Sequence, residues 1–218
     1  MRTAAVLPVK SFSRAKQRLG EAIGGSERGE LAAAMVSDIL ATLVSVPELD
    51  DVVLVTAEPV AARAGEQAGA TVVHDPDEAG QSAAAARGID AALVRGAERV
   101  VLVPGDCPAL DARELATLLG RRAEVVIVPD RHGSGTNALL LTPPTAIAPS
   151  FGAGSFARHA ALARAAGVEV KVCELPSLGL DVDTPDDLAA LRKALETRGG
   201  AAPRTRAVLD RLVPAAAV

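Results

Sequence analysis

Short β-branched runs alternate with helix-periodic stretches along most of this chain, and that alternation is what most constrains its fold. Thr3 to Val9, Val52 to Thr56, Thr71 to Val73, Val100 to Val103 and Val125 to Val128 each read as a buried strand. Between them lie helical patterns. Leu31, Met35, Ile39 and Leu43 recur at four-residue spacing in a helix from about Glu27, with Ser26 as its expected cap. Pro59 to Gln67, Gln81 to Arg95 and residues 112–120 follow, the last capped by Asp111. Strand–helix alternation of this kind predicts an α/β protein, with a mostly parallel sheet covered by helices on both faces.

The second half is less regular. Asn137 to Leu141 and Val168 to Val172 read as strands, and Ser155 to Ala166 as a helix. Leu180-Asp181-Val182-Asp183 reads as a short acidic strand, and Thr184-Pro185-Asp186-Asp187 opens another helix, with proline in its first turn and acids at the positive end of its dipole. One domain over 1–198 is expected, followed by a tail or short helix at 199–218.

Composition removes several function classes. The chain has no Trp or Tyr and three Phe, so aromatic stacking is a poor basis for holding a nucleobase. A net charge of −4 argues against a nucleic-acid binder. Two cysteines are too few for a disulfide scaffold or a structural zinc site, and both sit in apolar contexts. No apolar stretch reads as a signal peptide or a membrane span, so a cytoplasmic protein is expected.

In open α/β sheets, ligands bind beyond the carboxyl ends of the strands. Val100 to Val103 runs into Pro104-Gly105-Asp106-Cys107-Pro108, which sets Asp106 at such an end, where one hard carboxylate suits a phosphate-bound Mg²⁺. The competing role is helix capping, which Asp111 fills better. The loop after the first strand carries Lys10, Arg14, Lys16 and Arg18, cations that would meet a phosphate chain or simply face solvent. It lacks a Walker-type signature. In a strand, Asp181 and Asp183 would share a face, and two like charges so placed favour a cation between them; the competing role for Asp183 is capping the next helix.

Three further stretches are candidates. Gly133-Ser134-Gly135-Thr136-Asn137 offers N–H and O–H donors to an anion, or is a plain loop. Gly152-Ala153-Gly154-Ser155-Phe156-Ala157 opens a helix; it matches a dinucleotide fingerprint formally, but prolines rather than a strand precede it. Its helix N-terminus is still an anion site, and His159, one turn further in, reads on its own as a surface residue. Asp75 to Ser82 follows the third strand, where an acid or amide would reach a nucleobase or cap a helix.

Taken together, Leu7-Pro8-Val9-Lys10 with Ala15-Lys16-Gln17-Arg18-Leu19, Gly105-Asp106-Cys107-Pro108, Gly135-Thr136-Asn137-Ala138-Leu139, Phe151 to Phe156 with His159, and Leu180 to Leu188 occur in an order that resembles the 2-phospho-L-lactate and phosphoenolpyruvate guanylyltransferases of coenzyme F-420 biosynthesis. The match spans roughly residues 3–192. It implies a three-layer α/β/α, GT-A-like nucleotide-diphospho-sugar transferase fold. It also implies transfer of GMP from GTP to a three-carbon phosphate acid, with release of pyrophosphate and hand-over of the product to a downstream F-420 transferase.

By matching motifs, Asp106 and Asp183, with Asp181 as alternate, would hold Mg²⁺, and Lys16 and Arg18 would act with Asp106 on the GTP phosphates. Thr136, Asn137, Gly152 and Ser155 would hold the acceptor. Pro8, Lys10, Asp75, Gly80 and Ser82 would lie along the nucleotide. Gly80-Gln81-Ser82 stands where a Gly-Leu-Asn type stretch is expected. Abundant alanine and arginine fit a GC-rich genome and point to the phosphoenolpyruvate-using branch, while 2-phospho-L-lactate and 3-phosphoglycerate stay open. So do a sister nucleotidyltransferase of the molybdenum-cofactor kind, a non-catalytic GTP-binding regulator and a homodimer. No nucleic acid or membrane partner is expected.

Overall fold

The computed structural model describes residues 1–14, 19, 23–198 and 200–212. Its strands are β1 (Thr3–Val9), β2 (Asp51–Thr56), β3 (Thr71–His74), β4 (Arg99–Leu102), β5 (Val125–Pro129), β6 (Thr136–Leu141) and β7 (Val170–Val172). Its α-helices are α1 (Gly25–Ser45), α2 (Pro59–Ala68), α3 (Gln81–Val94), α4 (Ala112–Leu119), α5 (Ser155–Ala166), α6 (Pro185–Thr197) and α7 (Pro203–Leu212). One sheet runs in the order β3-β2-β1-β4-β6-β5-β7. All neighbours are parallel except β6, which is antiparallel to both β4 and β5.

The strand periodicity follows from burial on both sides. Odd residues of β1 such as Leu7 pack beneath α1, α2 and α4; even ones such as Val6 pack beneath α3 and α5. These are the three layers that the alternation predicts. Helix α3 lies so close to the sheet that a Cβ on Gly88 would stand against the Val6 side chain and 2.9 Å from Val55 Cγ2. A third core joins α1, α6 and α7 through Leu31, Met35, Leu191 and Leu209. Buried Asp38 of α1 accepts hydrogen bonds from the N–H groups of Arg204 (3.2 Å) and Thr205 (2.8 Å), which seats the first turn of α7.

Two local expectations differ from the structure. Helix α1 starts at Gly25 rather than near Glu27, because the Glu27 carboxylate reaches back to the Gly24 N–H at 2.9 Å; Ser26 is therefore inside the helix and not its cap. Residues 180–183 form no strand. Val182 makes one backbone bond, to the Asp106 carbonyl at 3.1 Å, and the Thr184 cap then starts α6 before a ladder can extend. Among the described residues no helix is long and apolar enough to cross a membrane.

Candidate active site

Strands β2 and β3 lie on one side of β1 and β4 on the other, so the strand order reverses between β1 and β4. A crevice opens at their carboxyl ends, as the topology requires. Pro8 fits inside β1 because β4 ends at Leu102, leaving no ladder partner for the N–H that proline lacks. A cavity occupies this point, with Pro8 and Lys10 on the β1 side, Gly105 and Asp106 beyond β4, and Asp75, Gly80 and Asp183 around them. Gly105 is needed for closeness: a Cβ there would lie 3.2 Å from Val9 Cγ2.

The loop after β1 is pinned by acids from two neighbouring strand ends. The N–H of Ser11 donates to Glu78 at 2.7 Å, and that of Phe12 to Glu58 at 3.0 Å. The expected phosphate contacts Lys16 and Arg18 lie outside the described residues. On the opposite wall Asp75 is buried, with Arg87 of α3 3.5 Å away; the same guanidinium reaches Asp77 at 3.1 Å. Gly80 has φ 109° at the N-cap of α3. Ser82 is turned elsewhere: its hydroxyl accepts the Phe151 N–H at 2.8 Å, tying α3 to the loop before α5.

The acids converge through tertiary structure. The Val182–Asp106 backbone bond brings the 181–183 segment beside β4. Asp183 lines the cavity with Asp106, whereas Asp181 accepts a hydrogen bond from Asn137 at 3.1 Å. Residues 181–183 are not held as a strand would hold them, yet the Asp181 carboxyl still feels the charges of Asp106 and Asp183. Burial pushes the Asp181 carboxyl up, and the charges of Asp106 and Asp183 add to that, against the Asn137 hydrogen bond. Asp187 shows the opposite balance. Burial acts to raise it, but hydrogen bonds from the Thr184 hydroxyl and from the Asp183 and Thr184 N–H groups hold it low, with Arg131 paired to it.

Beside this cavity is a second polar patch, created by a β-bulge. Val128 pairs with Ala138 and Pro129 with Thr136, so Asn137 is an extra residue in β6. Ala138 and Leu140 pack on the α1 side of the sheet, and unbroken alternation would leave Thr136 there and Asn137 on the other side. The bulge exchanges them. Asn137 donates to the Leu178 carbonyl at 2.7 Å on the α1 side, and Thr136 meets His159 of α5. Because β6 runs against β4, both residues lie at the sheet edge where Asp106 sits.

His159, expected on the surface, is 0% exposed. Its Nε2 accepts the Ser150 N–H at 2.8 Å, and its Nδ1 lies 3.0 Å from Thr136 Oγ1. Burial, with help from neighbouring Arg158, lowers its pKa to about 4. Arg158 itself donates to the Ser150 and Phe151 carbonyls, both at 3.0 Å, and to the Ala153 carbonyl, holding the turn that carries Gly152 (φ 104°) and buried Ser155. Composition held no sign of these roles; the sequence signals were the one-turn spacing from Ser155 to His159 and the place of His159 in the motif that carries the family resemblance.

Fold and site together define a class: an α/β nucleotidyltransferase, with its cavity at the sheet's switch point. Solved structures share the architecture. A nucleotide-diphospho-sugar transferase from Desulfovibrio desulfuricans superposes with TM-score 0.73 at 18% identity, over 97% of this chain and 99% of that one. A nucleotidyl transferase from Methanothermobacter thermautotrophicus gives 0.66 at 17%, over 91% and 99%. The family model described as "Guanylyl transferase CofC like" matches residues 3–196, and the chain belongs to that family. It is 48% identical to a phosphoenolpyruvate guanylyltransferase of Conexibacter woesei over 98% of this chain and 97% of that protein. It is 38% identical to one of Sphaerobacter thermophilus, over 88% and 93%.

Proposed function

We propose that this enzyme transfers GMP from GTP to the phosphate of phosphoenolpyruvate, in coenzyme F-420 biosynthesis. The observation that carries the reading is the juxtaposition, at one sheet edge, of an acid-lined cavity with a separate donor-rich patch. Two anionic substrates need two such places. The relatives' shared name supports phosphoenolpyruvate as the acceptor over 2-phospho-L-lactate.

The roles are those that the family motifs imply for these residues. GTP lies in the cavity, with Pro8, Lys10, Asp75 and Gly80 along it and Ser82 at its margin; Lys16 and Arg18 meet its phosphates. The acceptor sits at Thr136, Asn137, Gly152 and Ser155, over the N-terminus of α5. An oxygen of its phosphate attacks the α-phosphorus, the α–β phosphoanhydride bond breaks, and pyrophosphate leaves with the bonding pair. The product is a guanosine diphosphate diester, which a downstream F-420 transferase consumes. No covalent enzyme intermediate is needed.

Carboxylate oxygens are hard donors, and Asp106 and Asp183 at one opening fit Mg²⁺, with Asp181 as a reserve ligand. Bound there, Mg²⁺ neutralises triphosphate charge and stabilises the charge of the transferred group.

The test is pyrophosphate release from GTP and Mg²⁺ with phosphoenolpyruvate, 2-phospho-L-lactate or 3-phosphoglycerate as acceptor, the downstream transferase and its deazaflavin substrate being present to consume the product. Release with phosphoenolpyruvate is expected. Silence with all three, despite GTP binding, would overturn the reading.

A further inference from the structure

We propose that His159 is a positioning residue, which turns the hydrogen of the Thr136 hydroxyl away from the ring and into the acceptor site, so that the site favours a ligand group that accepts there. The proposal deepens the acceptor assignment given under Proposed function and rests on it.

The argument is one of proton placement. The Ser150 N–H can only donate, and it donates to Nε2 of His159 at 2.8 Å. Nε2 therefore carries a lone pair, and the hydrogen of the neutral ring sits on Nδ1. Nδ1–H then donates to Thr136 Oγ1 at 3.0 Å. A hydroxyl that accepts from a fixed donor turns its own hydrogen elsewhere. Thr136 is 6% exposed, and among the described residues no protein acceptor takes that hydrogen. A ligand oxygen at the amino end of α5 would take it, and the helix dipole adds to the preference for negative charge there. A carboxylate or phosphate oxygen, which accepts only, matches a hydroxyl hydrogen directed this way.

The surroundings keep the ring in this state. Ring burial and the Arg158 charge both disfavour protonation. The Phe151 ring meets the imidazole edge-on, with centroids 5.2 Å apart, and limits its rotation. Arg158 and His159, adjacent on α5, both grip the loop at Ser150, so the turn bearing Gly152 and the donor Thr136 are set by the same two residues.

The experiment has a spectroscopic arm and a kinetic one. The chain has three histidines, so ¹⁵N-labelled imidazole resonances are assigned by single substitutions. At neutral pH His159 is expected to show a protonated Nδ1 and a bare Nε2; a ring protonated at Nε2, or at both nitrogens, would overturn the proposal. In the kinetic arm His159→Asn keeps an amide N–H near the place of Nδ1. His159→Gln instead reaches the place of Nε2, keeping the Ser150 bond and losing the Thr136 bond. The acceptor KM is expected to rise about tenfold in His159→Gln, as for loss of one hydrogen bond to a charged group, and only a few-fold in His159→Asn, with the KM for GTP unchanged in both. Equal changes in both variants, or in both substrates, would show a merely structural role and overturn it. Absence of turnover in the unsubstituted enzyme would instead count against the phosphoenolpyruvate reading, and the tautomer would be read regardless.

Discussion

Val182 donates its backbone N–H to the Asp106 carbonyl at 3.1 Å, and this bond joins the two acidic segments of the cavity. Asp183 thereby lines the same opening as Asp106. If these carboxylates hold the metal, Asp106→Asn should lower kcat at least about a hundredfold and weaken Mg²⁺-dependent GTP binding, because charge stabilisation of the transferred group is lost. Steady-state kinetics and calorimetry with and without Mg²⁺ check this. Activity within a few-fold of the parent enzyme would refute the assignment.

Asp38 is 3% exposed and accepts two N–H groups from the first turn of α7. Asp38→Ala should destabilise the chain by about 2 kcal/mol, since the buried Thr205 N–H and the part-buried Arg204 N–H lose their acceptor. Chemical denaturation measures it. A change within about 0.5 kcal/mol would mean that α7 docks through its apolar face alone.

Gly88 faces Val6 and Val55 at the contact of α3 with the sheet. Gly88→Ala should destabilise by about 1–3 kcal/mol through overpacking, despite alanine's better helix propensity. A thermal melt higher than that of the parent protein would contradict this contact.

His159 has its pKa lowered to about 4 from the ordinary 6.5. A group depressed on folding adds stability that is complete above the unfolded value and is lost as pH falls, because the unfolded chain takes up the proton first. Between pH 7.5 and 4.5 this group should account for a loss on the order of 2–3 kcal/mol. Urea midpoints at both pH values should show His159→Asn, which cannot titrate, losing correspondingly less. Equal losses in the two proteins would show that the ring titrates normally.

Much of the fold could be read from local pattern. The runs at 3–9, 52–56 and 125–128 are strands, and Asp111 and Thr184 cap α4 and α6, since spacing, β-branching and capping chemistry act within a few residues. Ser26 failed as a cap for a reason just as local: a glutamate three residues past Gly24 captured the helix start.

What the sequence determined by itself was therefore the alternation of elements, the three-layer α/β class and the residue types gathered at the strand ends. Tertiary structure alone decided that β6 inserts antiparallel between β4 and β5, that a bulge exchanges the faces of Thr136 and Asn137, and that Asp181 turns to Asn137 while Asp183 lines the cavity. It also buried His159 between the Ser150 N–H and the Thr136 hydroxyl. The physical reason is range. Periodicity and capping are set by neighbours along the chain, whereas register, burial and proton position depend on groups that only the folded chain brings within hydrogen-bonding distance.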